Sequence, residues 1–234
     1  MKPFRFQQFE VQQSSEVFRV GTDAVLLGIL SNVHQARSIL EVGTGTGIVA
    51  LMLAQRNPEA NILGIDINPE AVQISQNNFY NSPFAARVQS QHQDFKNFET
   101  EKRFDLIVSN PPYFETNNSE KDILARQRLE LDFSDLIQKA SELLSGQGLF
   151  SVIIPIDSEK QFTQICSDNL LFLQRKVIIK GINTAKPKRV VLEYTFQKSG
   201  VTEEYFVIEK SPRVYSDDYL ELTKDFHIFN KKTL

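Results

Sequence analysis

From residue 38 onward the apolar positions of this chain fall into short solid runs, most of them followed by a stretch with helical spacing. "SILEVG" leads into "GIVALMLAQRN" and "NILGIDI" leads into "NPEAVQISQNNFYNS". "RFDLIVSN" is followed, after a longer connection, by "FSDLIQKASELLSGQG". "LFSVIIP" precedes "SEKQFTQICSDNL", and "ARVQSQHQD" is a weaker strand candidate. Apolar runs without polar alternation fit strands buried on both faces, and their alternation with helices predicts an α/β fold with a mostly parallel, Rossmann-like sheet. Pro69 suits the first turn of its helix, and the glycines after "SELLS" suit a helix stop. "FLQRKVIIKG", "RVVLEYTFQK" and a further candidate, "EYFVIEK", have no helix between them, so they are expected to pair antiparallel as a hairpin at one sheet edge. The opening "FRFQQFEVQQSSEVFRVG" alternates in two halves about Ser14 and Ser15, which predicts an N-terminal β-hairpin turning there. Thr22 or Asp23 is placed to cap a helix through "AVLLGILSNV". Residues 1–37 are thus expected to form a hairpin-and-helix extension, and residues 38–234 the α/β domain.

Composition narrows the class. In 234 residues, 41% are hydrophobic and 18 are Phe, enough for a sizeable core. A chain of this length buries roughly 70–75% of its unfolded surface. One cysteine, Cys166, excludes an internal disulfide framework and fits a reducing compartment. The three His and one Cys form no cluster with metal-ligand spacing, so no metal is expected. No apolar run is long enough to span a bilayer, and the N-terminus has no apolar signal core, so a cytoplasmic protein without a membrane is expected. The net charge of −3 argues against a surface wholly devoted to nucleic acid. Yet "RKVIIKGINTAKPKR", residues 175–189, holds six basic residues and no acidic one, a local field for an anionic partner.

Two stretches carry chemistry. "LEVGTGTGIVAL" sets Gly43, Gly45 and Gly47 between a strand and its helix, where glycine lets backbone approach a ligand and the helix N-terminus can receive an anion. The dinucleotide fingerprint fails, because its third glycine would fall on Ile48. Asp66, 19 residues after Gly47 at the end of the next strand, can accept both hydroxyls of a ribose, and Glu41 adds a second acid expected at the rim. In "VSNPPYFE", the residue before each proline is barred from helical geometry, and proline offers no N–H. Asn110 and Pro111 therefore present an amide oxygen and a carbonyl on stiff backbone, a match for the two hydrogens of an exocyclic amine. Pro112 maintains the frame, and Tyr113 supplies a face for a planar substrate.

The order "LEVGTGTG", "GIDIN", "HQDF", "NPPY" resembles the class I S-adenosylmethionine-dependent methyltransferases. The resemblance implies their seven-stranded sheet, with S-adenosylmethionine as cofactor. It implies that Gly43, Thr44, Gly45 and Gly47 face the methionine part, that Asp66 holds the ribose with Ile67 and Asn68 beside the adenine, and that Asp94 and Phe95 hold the adenine amine. "NPPY" is shared by enzymes acting on adenine, on guanine and on protein glutamine. Over essentially the whole chain, "GTDAVLLG", "NNFYNSPFAARV", "FDLIVSNPPYF" and "YSDDYLELTKDFHIF" are similar to the bacterial tRNA adenine methyltransferases that modify valine tRNA. That implies methylation of the N6 amine of adenine 37 in the anticodon loop, with Thr22 and Asp23 bordering the cofactor cleft. Lys180, Lys186, Lys188 and Arg189 are candidates for the RNA backbone, as are Arg126 and Arg128 in the long connection after Tyr113. A monomer is expected. Protein glutamine methylation, and a catalytically silent RNA-binding module on the same fold, stay open as alternatives.

Overall fold

The computed structural model describes residues 1–15, 17, 20–111 and 132–228. Its centre is a nine-stranded sheet, built from β3 (Ser38–Val42), β4 (Asn61–Asp66), β5 (Val88–His92), β6 (Phe104–Ser109), β7 (Leu144–Pro155), β8 (Phe172–Ile182), β9 (Arg189–Thr195), β10 (Thr202–Ser211) and β11 (Val214–Tyr215). The spatial order is β11-β10-β8-β9-β7-β6-β3-β4-β5. β5, β4, β3, β6 and β7 run parallel, and β9 is antiparallel to both β7 and β8. Strand order reverses between β3 and β6, the place where open α/β sheets bind ligands.

The late strands depart from the expected edge hairpin. β8 and β9 do form an antiparallel pair, but β9 inserts between β7 and β8, so the pair lies inside the sheet. β10 then pairs parallel to β8 with no helix between them, and the short β11 closes the edge antiparallel to β10. An inserted β9 is buried along most of its length, as its solid run "VVLEY" requires.

Helices cover both faces. On one lie α1 (Thr22–Leu30), α2 (Ile48–Arg56), α3 (Pro69–Tyr80) and α6 (Asp217–Thr223), packed on Ile39, Leu106, Ile153, Val177 and Phe206. On the other lie α4 (Phe133–Leu143) and α5 (Glu159–Asp168), packed on Leu40, Ile107, Val152, Ile178 and Leu192. The N-terminal hairpin pairs β1 (Phe4–Arg5) with β2 (Glu10–Val11), and Phe6 N–H bonds Phe9 C=O across its turn. The turn is therefore at Gln7 and Gln8 and not at Ser14 and Ser15. Phe6, Phe9 and Val11 must all enter the core, and the earlier turn brings them to one side.

Two end signals also differ. α1 is capped by Gly21 in extended geometry, with no side-chain bond, so neither Thr22 nor Asp23 is its cap. α4 stops at Leu143 without a glycine, because Leu144 is already extended and paired with Phe104. Gly148 serves the strand instead. A Cβ there would sit 2.8 Å from Phe104 C=O, where the β6–β7 register shifts. Pro69 does open α3, and the Asn68 side chain caps it by accepting Glu70 N–H at 3.0 Å.

Candidate active site

The β3–β6 register pairs Val42 with Ser109, so Gly43 and Asn110 each lie one residue beyond a matched pair. Ser109 Oγ reinforces the junction by donating to Val42 C=O at 3.0 Å. The glycine loop and Asn110 thus leave the sheet side by side at the carboxyl ends of adjacent strands. Asn110 is half-buried and Pro111 buried. Pro112, Tyr113, Arg126 and Arg128 lie outside the described residues.

The three glycines divide by role. All have left-handed backbone, with φ of 76° at Gly43, 54° at Gly45 and 80° at Gly47. A Cβ at Gly43 or Gly45 would meet nothing within 4 Å, so those two face open space. A Cβ at Gly47 would lie 2.3 Å from Phe79 Cε1, so this glycine lets α2 start against α3. The loop is anchored from below. Thr44 is buried and its hydroxyl donates to Glu41 Oε2 at 2.6 Å, which also accepts Ala50 N–H at 3.2 Å. Glu41 is 3% exposed, so the acid expected at the rim lies beneath the loop instead. Burial pushes its carboxyl from the ordinary 4.5 up to about 8, against the two hydrogen bonds that favour the anion. Gly64 makes room for the anchor, because a Cβ there would be 2.6 Å from Thr44 Oγ1.

Asp66 ends β4, with one oxygen accepting Gly45 N–H at 2.8 Å and the other Asn68 N–H at 2.9 Å. Burial holds its carboxyl above the usual range, partly offset by those bonds. A carboxylate has about four lone-pair sites, so ligand hydroxyls can still be accepted. Next to it Ile67 is 51% exposed, an apolar side chain held at the cleft. Its carbonyl is fixed by His92 Nε2 at 2.9 Å. Asp94 caps the short turn Phe95–Asn97, accepting Lys96 N–H at 3.0 Å and Asn97 Nδ2 at 2.9 Å. The Phe95 ring is buried in the core, which leaves its backbone as the part able to meet a ligand. β5 and β4 are neighbours, so Asp66 and Asp94 leave the sheet side by side.

The basic residues do not form one patch. Lys186 and Lys188 are exposed on the β8–β9 turn. Pairing of Pro155 with Arg189 sets that turn at the carboxyl end of β7, on the same rim as the glycine loop. Arg189 donates through Nε to Asp23 at 2.9 Å, so two separately expected site residues are ion-paired with each other. Lys180 shares the opposite sheet face with Ile178 and lies 6.0 Å over the Tyr205 ring. Thr22 opens α1 and lines a cavity beside Lys186 and Lys188.

Asn78 was not anticipated. It is 1% exposed on the inner side of α3. Its amide donates to Thr46 C=O in the glycine loop at 2.8 Å and to Gln12 C=O at 3.2 Å, and accepts Gln12 N–H at 2.8 Å. The signal was available: Ala71, Ser75, Asn78 and Phe79 share one helical stripe, and a carboxamide on a buried stripe needs partners.

Residues 11–168 match the model of the methyltransferase small domain family. A tRNA1(Val) (adenine(37)-N6)-methyltransferase from Flavobacteriaceae bacterium (strain 3519-10) is 56% identical over 230 residues, 98% of this chain and 100% of that protein. One of the same name from Phocaeicola vulgatus is 40% identical over 228 residues, 96% of this chain and 97% of that protein. Among solved structures, one described as a predicted O-methyltransferase from Agrobacterium tumefaciens aligns with a TM-score of 0.67 at 16% identity, covering 87% of this chain and 96% of that one. A methyltransferase from Pyrococcus furiosus aligns with a TM-score of 0.60 at 16% identity, covering 81% and 90%. The structural likenesses bear on the fold alone, whereas the family model and the relatives' identity over nearly their whole length place this chain in the methyltransferase small domain family, within its tRNA1(Val) (adenine(37)-N6)-methyltransferase group.

Proposed function

We propose that this chain transfers a methyl group from S-adenosylmethionine to the exocyclic N6 amine of adenine 37 in the anticodon loop of valine tRNA. The observation that carries the reading is the β3–β6 junction, where an open glycine loop and the Asn110–Pro111 pair leave adjacent strands side by side. The printed activity of the curated relatives supports the choice of substrate.

The residues present fit the cofactor. Gly43 and Gly45 form a cradle that side chains would fill, Asp66 offers acceptors for ribose hydroxyls, exposed Ile67 offers an apolar contact for adenine, and Asp94 can accept from its amine. When bound, S-adenosylmethionine supplies a methyl on a sulfonium sulfur, and an N–C bond to the substrate forms as the S–C bond breaks. Asn110 Oδ1 and Pro111 C=O accept the two amine hydrogens and turn the nitrogen lone pair toward the methyl. The acceptor is a neutral amine, so no base is required before transfer. One proton leaves the nitrogen afterwards. The rate gain is therefore mainly positioning.

Asn110→Ala should lower kcat on an anticodon stem-loop RNA by about 100-fold, the scale of removing one aligned polar contact to the reacting group. Cofactor affinity should be unchanged, because the contact matters most in the transition state. Near wild-type turnover would overturn the role of Asn110. Labelled methyl entering a glutamine side chain of a protein and not RNA would replace the substrate assignment.

A further inference from the structure

His92 borders the cofactor cleft and takes no part in methyl transfer itself. It ends β5 as Asp66 ends β4, and the two are paired in register, so their side chains leave the sheet on the same face. His92 is exposed, yet its ring is not left to solvent alone. Its Nε2 lies 2.9 Å from Ile67 C=O. A carbonyl only accepts, so Nε2 carries the hydrogen.

One peptide group receives both members of this cross-strand pair. The peptide joining Ile67 to Asn68 has its C=O held by His92 and its N–H held by Asp66 Oδ1 at 2.9 Å. A peptide is planar, so fixing its oxygen and its hydrogen fixes its plane. The plane in turn sets how the chain turns out of β4 toward α3. Asp66 is held on its other oxygen by Gly45 N–H at 2.8 Å, so it keeps its place without His92. Ile67 is different. Its side chain is 51% exposed and not packed into the core, so its direction depends on the backbone that carries it.

The same pair reaches the other side of the cleft. Gln93 N–H donates to Asp66 C=O at 2.9 Å, and the chain then arrives at Asp94. Ile67 and Asp94 thus lie just beyond the paired residues of adjacent strands. A planar ligand group between them meets an apolar side chain from β4 and a carboxylate from β5.

We infer that His92 is a positioning residue for the adenine of the cofactor. It acts through the Ile67–Asn68 peptide and sets the Ile67 side chain against the adenine face. The inference rests on the cofactor assignment proposed above and adds a residue to it.

The test is calorimetric and uses the full chain with two probes, S-adenosylhomocysteine and methylthioadenosine. The second carries the adenosine without the amino-acid end, so a residue that positions adenine acts on both alike. His92→Ala should weaken both about fivefold, the scale of one hydrogen bond. His92→Gln should restore both to within about twofold, because a carboxamide of that length puts an N–H where Nε2 stands. His92→Asn should not, since its shorter side chain reaches only the place of Nδ1. Matching melting temperatures of the unliganded Gln and Asn variants make that comparison one of reach and not of folding. In an Ile67→Ala background, His92→Ala should cost less than about twofold, because the side chain it directs is gone. Equal affinities of wild type and His92→Ala would overturn the role. So would a loss confined to S-adenosylhomocysteine, a Gln variant no better than Asn, or a cost undiminished without the Ile67 side chain. A wild type that binds neither probe would instead refute the cofactor assignment itself.

Discussion

Glu41 is an acid kept neutral beneath the loop it supports. Its carboxyl accepts from Thr44 and Ala50 while burial raises it to about 8, so folding favours the protonated form. Between the ordinary 4.5 and about 8 the folded chain holds a proton that the unfolded chain has released. Stability from this group is therefore lost as pH rises through that window, at no more than ~1.4 kcal/mol per pH unit, and levels off above it. Glu41→Gln retains an acceptor oxygen and cannot ionise. Its melting temperature relative to wild type should climb from pH 5 to pH 8, and parallel melting curves for the two proteins would exclude the account.

At the scale of elements, α3 ties the N-terminal segment to the glycine loop through one side chain. Asn78→Ala would break its bonds to Gln12 and leave Thr46 C=O without that donor. The expected cost is about 1–3 kcal/mol of stability, the scale of unsatisfied buried polar groups. Because Thr46 lies in the loop, S-adenosylmethionine affinity should fall in the same variant, while Asn78→Asp should restore part of the Gln12 contact only. Loss of stability with unchanged cofactor affinity, measured by calorimetry, would make Asn78 a purely structural tie. The end of α1 is held similarly from outside: Arg56 donates to Gly28 C=O at 2.7 Å and Ser31 C=O at 2.8 Å, and Arg175 to Leu30 C=O at 2.8 Å.

For the whole molecule, the net charge of −3 means RNA must be met by a local field. Exposed Lys186 and Lys188 supply it on the rim of the cleft, whereas Arg189 is committed to Asp23 and Lys180 to the far face. Changing both lysines to Ala should weaken stem-loop binding and flatten the dependence of log affinity on log salt by about 1.5, from roughly 0.7–0.9 per phosphate contact. S-adenosylmethionine affinity should be unaffected. Arg189→Ala should chiefly lower thermal stability by removing the half-buried partner of Asp23. An unchanged salt slope in the double variant would move the docking surface elsewhere. Among the described residues, no helix is long and apolar enough to cross a membrane.

The alternation of strands and helices from β3 onward, the glycine loop, Asp66 at a strand end and Asn110 before its prolines were legible in the sequence, because each is a local pattern. Hydrophobic period reports conformation and burial, and glycine and proline report backbone geometry, within a few residues of themselves. The resemblance to tRNA adenine methyltransferases drew on the same short motifs in their order. What the tertiary structure decided is non-local. β9 inserts between β7 and β8, β10 pairs parallel to β8, and the hairpin turns at Gln7 and Gln8 because burial of partners far away in sequence selects one pairing among several that local pattern allows. The same cause places Glu41 under the loop, joins Asp23 to Arg189 across the fold, and parts Lys180 from Lys186 and Lys188. A sequence shows which side chains carry charge or rings; only strand order brings His92 and Asp66 to one peptide.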